Sequence, residues 1–187
     1  MSNSNSHLTQ DLFDLCIAKI SECFILFSKI SNCSISDINI SQFPDDIDHR
    51  SEIILYGVNI TFRIQFFYNS LNFTNNLESL YEKVTKERVI DFFGETANLT
   101  AGKIKEVLFD QGIVCALSLP MNISTSKLKV IEGTEVLSKF KYCEMKLENE
   151  RLFASKISFE IHDEIKFKDF NKNYKRTNVD DGEVEFF

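Results

Sequence analysis

One stretch of this sequence sets polar groups at a spacing that suits chemistry: Asp91-Phe-Phe-Gly-Glu95-Thr-Ala-Asn98-Leu-Thr-Ala-Gly102. Read as a helix at about 100° per residue, Val89, Phe93, Thr96, Thr100, Ile104 and Val107 fall within about 80° of one another and form an inward side. Asp91, Glu95, Asn98 and Gly102 fall within about 60° on the opposite side. The helix therefore offers solvent a column of two carboxylates, one carboxamide and one bare backbone position. Carboxylates accept hydrogen bonds, and the carboxamide both donates and accepts them. Asn and Gly each cost roughly 0.5–1 kcal/mol relative to Ala inside a helix, and Gly94 adds a third weak position. A helix that tolerates all three has another use for them. Gly102 would let the backbone of a partner come close. No G-x-S-x-G, no P-loop and no cluster of metal-ligand type accompanies the column, which argues against a serine hydrolase, a P-loop enzyme and a metal-dependent one.

The elements that must position this helix follow from periodicity. Residues 8–30 return Leu8, Leu12, Leu15, Cys16, Cys23, Leu26, Phe27 and Ile30 at helical spacing, with Thr9 or Ser6 as the expected cap. Phe13, Ile17, Phe24 and Ile25 widen its apolar face, so cover is expected on more than one side, from its own sheet and from another subunit. Residues 31–50 are polar, are broken at Pro44, and read mostly as loop with room for one short strand. Residues 51–56 and 59–67 read as strands around a tight turn at Gly57, the second alternating Ile60, Phe62, Ile64 and Phe66 with Thr61, Arg63 and Gln65. Residues 75–84 read as a short helix, with Asn75 and Glu78 as a capping box. The long helix runs over 86–110 and stops at Gly112. Strands are expected at 114–119, ended by Pro120, at 127–131, at 140–147 and at 151–161, the last two flanking a polar turn at 148–150. This order implies an α+β fold, an antiparallel β-sheet with long helices packed on one face. Residues 1–162 form the domain. Residues 163–187 turn from basic to acidic and read as a charged, solvated tail.

Composition narrows the function classes. The 187 residues carry 21 Lys+Arg against 28 Asp+Glu, a net charge of -7. An acidic chain is a poor match for a nucleic-acid backbone. The length and the 43% hydrophobic content suit one globular domain. Five cysteines at long spacings, without C-x-x-C, point to small buried thiols and a cytoplasmic setting rather than to disulfides or zinc. Residues 12–30, the longest apolar stretch, include Asp14, Lys19, Glu22 and Lys29, so no membrane span is expected. Asn59-Ile-Thr and Asn122-Ile-Ser match glycosylation sequons, as an Asn- and Ser-rich chain does by chance.

Asp91-x-x-x-Glu95-x-x-Asn98, followed by Pro120 after 21 intervening residues, resembles the signature of the CheC/CheX family of chemotaxis phosphatases. Residues 94–102 resemble the family's G-E-x-x-N-x-x-x-G helix, and residues 114–120 its following strand and Pro. The chain holds one E-x-x-N and none in its first helix, so it is similar to the single-site CheX type. It departs from the pattern at 121–126, which lacks the Gly usual there, and in its charged tail.

The resemblance implies a CheX-like fold and a protein phosphatase that hydrolyses the aspartyl phosphate of a CheY-like response regulator. It implies that Glu95 docks on the regulator's active-site Lys and that Asn98 holds the attacking water in line with the scissile P–O bond. A neutral amide suits that place, because a carboxylate would be repelled by the phosphoryl oxygens. Asp91 and Gly102 would lie at the partner contact without chemistry of their own. No cofactor is bound by this chain, Mg2+ being supplied by the regulator. The implied assembly is a homodimer joined through its sheets, with neither nucleic acid nor membrane as partner. Two readings of other classes stand beside it: a catalytically silent binding module that docks a regulator, and a structural dimerisation domain whose charged tail does the work.

Overall fold

The computed structural model describes residues 2–39, 41, 45–78, 84–124 and 139–162. The expected strand at 127–131 and the charged tail after 162 lie outside the described residues. Ten elements follow in order: α1 Ser2–Ser28, β1 Cys33–Ile38, β2 His49–Gly57, β3 Ile60–Tyr68, α2 Ser70–Glu78, α3 Lys86–Asp110, β4 Cys115–Leu117, β5 Met121–Ser124, β6 Lys139–Leu147 and β7 Glu150–Ile161. The strands form one sheet in the order β1-β6-β7-β3-β2-β4, with β5 also on β2. Every pairing is antiparallel, and the α+β architecture is the expected one.

Strand alternation builds the core on the helical side. Ile53 and Leu55 from β2, Ile60, Phe62, Ile64 and Phe66 from β3, and Phe153, Ile157 and Phe159 from β7 are all buried in it. With 18 Phe and no Trp in the chain, the centre is a phenylalanine cluster. Phe24 of α1 meets Phe73 of α2, Phe92 of α3 and Phe153 of β7 at centroid distances of 6.2, 5.8 and 5.0 Å. Such tilted and edge-to-face pairs add about 0.5–1.5 kcal/mol each beyond their buried area. The polar alternation of β3 does not leave all its members at the surface. Gln65 is buried because its Nε2 donates to Glu52 Oε2 across the β2–β3 pair at 2.7 Å.

Two helix starts depart from expectation, and the polar stretch after the first helix does hold a short strand. The first helix begins at Ser2, so Ser6 and Thr9 lie inside it rather than at its cap. Its breadth is covered by α3 as well as by the sheet, through β1 and β6. Residues 33–38 are an edge strand, paired along β6 from Cys33↔Leu147 to Ile38↔Tyr142. Only Cys33, Ile35 and Ile38 of it are partly buried, which is why its apolar signal is weak. The short helix starts at Ser70, not 75. Asn69 caps it, its Oδ1 accepting from Leu71 N at 3.1 Å and Asn72 N at 3.0 Å, and Phe73 anchors it in the core.

Candidate functional site

The long helix α3 has the expected bounds. Thr85 caps its start, accepting from Arg88 N at 3.4 Å. Its end is closed by Ile113 N donating to Leu108 O at 2.9 Å and Gly112 N to Phe109 O at 2.8 Å. Gly112 sits at φ +79, the left-handed position such a cap needs. Val89, Phe93, Thr96, Thr100 and Ile104 are buried as the wheel predicts, and Val107 is half-buried. Phe92, Ala97, Ala101 and Leu108 extend the buried arc.

Asp91, Glu95 and Asn98 are all exposed. None of the three makes a side-chain hydrogen bond or ion pair among the described residues. Gly102 follows on the same face, and a Cβ there would meet nothing within 4 Å. The column spans about 16 Å from Asp91 to Gly102 at 1.5 Å per residue. Phe109, 65% exposed, continues it at the far end.

The helix lies along β2 in the same direction. Lys86 Nζ is 3.6 Å from Asp48 Oδ2, just before β2 begins, and a Cβ on Gly57 at the end of β2 would meet Val114 O at 3.1 Å, just past the helix. Beside it runs the sheet edge, which does not stop at Pro120 as expected. Leu55 pairs with Leu117 and Glu52 with Met121, so two residues of β2 face three of the edge and one is bulged. Pro120 has no N–H for the ladder. Ser118 compensates: its N donates to Ile54 O at 2.8 Å, and its Oγ accepts from Ile54 N at 3.0 Å. Leu119 is thrust outward, 84% exposed, and the strand resumes as β5.

The resumed strand brings a residue that sequence reasoning missed. Asn122 Oδ1 accepts from Ser51 Oγ at 2.6 Å, and Ser51 Oγ is 3.1 Å from Tyr68 OH. Its Nδ2 lies 3.3 Å from where a Cβ on Gly94 would be. Gly94 is thus the gap through which β5 reaches α3, one turn before Asn98. The only mark on Asn122 in the sequence is its sequon, which says nothing of this contact.

Beneath this pair the site is polar and fixed. Ser51 and Tyr68 are buried. Burial foremost pushes the Tyr68 phenol above its ordinary range, so it stays a neutral hydroxyl. Asp48 accepts from Ser70 N at 2.7 Å and from Ser70 Oγ, and its Oδ1 is 2.9 Å from His49 Nδ1. Burial works against ionisation of Asp48, but the hydrogen bonds from Ser70 and His49 outweigh it and hold its carboxyl below the usual range. The α3 face can pair with a cation at a carboxylate and orient a small molecule at an amide. Among the described residues no group of three or more His, Cys, Asp or Glu is placed to hold a metal ion. No described helix is long and apolar enough to cross a membrane.

No family model matches the sequence, and no curated protein matches it. Solved structures do match the fold. The CheX–CheY–BeF3–Mg2+ complex from Borrelia burgdorferi contains a chain with a TM-score of 0.63 at 14% identity, over 79% of this chain and 97% of that one. A chemotactic CheC-like protein from Shewanella oneidensis gives 0.60 at 12% identity, over 80% and 98%. CheX from Vibrio vulnificus gives 0.59 at 14% identity, over 80% and 99%. The chain has the fold of the CheX and CheC-like chemotaxis proteins, as the resemblance implied.

Proposed function

We propose that this CheX-fold chain is a phosphatase acting on the aspartyl phosphate of a CheY-like response regulator. The observation that carries the reading is the pairing of exposed Glu95 with exposed Asn98, three residues apart on α3. That spacing puts both side chains on one face, one turn apart, on a fold shared with a CheX found in complex with CheY.

The chemistry asks for placement more than for a strong base. An acyl phosphate is already reactive, and catalysis of phosphoryl transfer is largely positioning and electrostatics. Glu95 pairs with the regulator's active-site Lys and sets the helix in register. Asn98 holds a water through its amide, in line with the bond to be broken. The water oxygen bonds to phosphorus, the P–O bond to the aspartyl group breaks, and inorganic phosphate leaves the regenerated carboxylate. Asp91 and Gly102 lie where the partner touches α3. The regulator's own carboxylates hold Mg2+, which offsets charge on the phosphoryl oxygens. On this reading the cations that offset the phosphate belong to the partner, which reconciles this chain's net charge of -7 with an anionic substrate.

The setting is cytoplasmic, supported by five cysteines that are all free. The assembly is a homodimer, supported by the sheet edges at β1 and β4–β5, which pair on one side only among the described residues.

The test is the rate at which an autophosphorylated CheY-type receiver loses phosphate with and without this chain. Acceleration is expected. Stable binding without acceleration would favour the silent binding module.

A further inference from the structure

We propose that Asn122 is a docking contact of the α3 site, its side-chain NH2 group donating to an oxygen on the surface of the partner that covers Glu95 and Asn98. The inference rests on the functional reading above and adds a residue to it.

Three observations carry it. The amide has a defined orientation. Its Oδ1 is held by Ser51 Oγ at 2.6 Å, and Ser51 is itself buried against the Tyr68 hydroxyl at 3.1 Å. With Ser51 donating to Asn122, the phenol donates to Ser51, and the two amide hydrogens are the free end of this chain of bonds.

Those hydrogens are unspent. Asn122 is exposed, and the bond from Ser51 is the only hydrogen bond of its side chain among the described residues.

They also lie at the right place. Nδ2 lies 3.3 Å from the Cβ position that Gly94 leaves vacant. Gly94 is the immediate neighbour of Glu95 and one turn, about 6 Å, before Asn98. On the wheel it sits about 40° from Asn98, on the flank facing β5. A partner surface resting on Glu95 and Asn98 therefore covers the Asn122 amide. The flanking charges on this face, Asp91 and Glu95, are acceptors, so Asn122 adds a second neutral donor beside the amide of Asn98. A partner oxygen brought there finds a hydrogen bond, and a partner N–H or cation is left to Asp91 and Glu95.

Two substitutions separate a contact from a prop. Asn122→Asp keeps an oxygen for Ser51 and the same shape over Gly94 but removes the donor. Asn122→Ala removes both. The probe is a CheY receiver loaded with BeF3 and Mg2+, the form in the Borrelia burgdorferi complex, with dephosphorylation of the same receiver followed in parallel. If the inference holds, both variants bind the receiver about tenfold more weakly, as loss of one hydrogen bond implies. KM rises with kcat unchanged in both; the melting temperature is unchanged in Asn122→Asp and falls in Asn122→Ala, which also takes the acceptor from buried Ser51. If Asn122 only props α3, Asn122→Asp behaves as the parent while Asn122→Ala loses stability, and the inference is overturned. If the parent chain neither binds nor dephosphorylates the receiver, the functional reading itself fails, and this inference falls with it.

Discussion

Phe93 lies flat against Tyr68, their ring centroids 3.8 Å apart and their planes 13° from parallel. Phe93 sits about 140–160° around α3 from Asn98 and Glu95. The stack therefore sets the rotation of the helix: with Phe93 locked inward, the two polar residues face out. Phe153 and Phe73 close on the same ring at 5.4 and 4.8 Å. Removing a buried Phe costs about 3–5 kcal/mol. Phe93→Ala should lower the melting temperature by roughly 6–20 °C at 2–4 °C per kcal/mol for a chain of this size. Thermal unfolding followed by circular dichroism checks it, and an unchanged midpoint would mean the stack does not hold α3.

Two glycines should respond in opposite directions. A Cβ on Gly57 would lie 2.9 Å from both Cys115 Sγ and Ile60 O. The carbonyl is backbone and cannot step aside, so Gly57→Ala should destabilise by about 1–3 kcal/mol through overpacking. Gly102 has open space above it. Gly102→Ala should stabilise by up to about 1 kcal/mol through helix propensity. A bulky Gly102→Phe should leave the fold intact and weaken binding of a CheY receiver by tenfold or more. Urea titrations rank the first two, and a binding titration reads the third.

Much of this site was legible from the chain alone, and the reasons are specific. The bounds of α3 follow from a clear 3.6-residue period and a glycine stop. The exposure of Asp91, Glu95 and Asn98 follows from the same period, because inward and outward positions differ sharply in polarity. What could not be read are contacts between elements distant in sequence. Ser51 and Asn122 are 71 positions apart, and nothing local to either marks the other. Proline usually ends a strand, so the edge past Pro120 carries no local signal of the strand that resumes there. Ser118 keeps Ile54 bonded through its own N–H and through its side-chain Oγ, which accepts from Ile54 N, a remedy no periodicity reveals. Asn75 and Glu78 imitate a capping box inside the helix at Ser70–Glu78, whereas Asn69 does the capping.

The carboxyl of Asp48 ties β2 to the start of α2 through Ser70 and to the start of α3 through Lys86. Its native pKa lies below the ordinary 3.8. A depressed carboxyl contributes stability that is present above its unfolded value and is lost as pH falls through the folded value. Part of the chain's stability should therefore fade as pH drops from about 4 downward. Asp48→Asn should be less stable than the parent at pH 7 by about 1–3 kcal/mol. It should also lose less on going to pH 3. Urea midpoints of both proteins at the two pH values give the comparison; equal acid losses would remove Asp48 from the explanation.

Asn98 is the residue on which the proposed catalysis turns, and a side chain that only places water can be deleted without loss of docking. The decisive measurement is the turnover of an aspartyl-phosphorylated CheY-type receiver by the Asn98→Ala protein, set beside its affinity for the same receiver loaded with BeF3 and Mg2+. Turnover should fall by about 100-fold or more, as misplacement of a reacting group does. Affinity should stay within about threefold of the parent, and the circular dichroism spectrum should not change. Parental turnover in Asn98→Ala would contradict a water-positioning role for this amide.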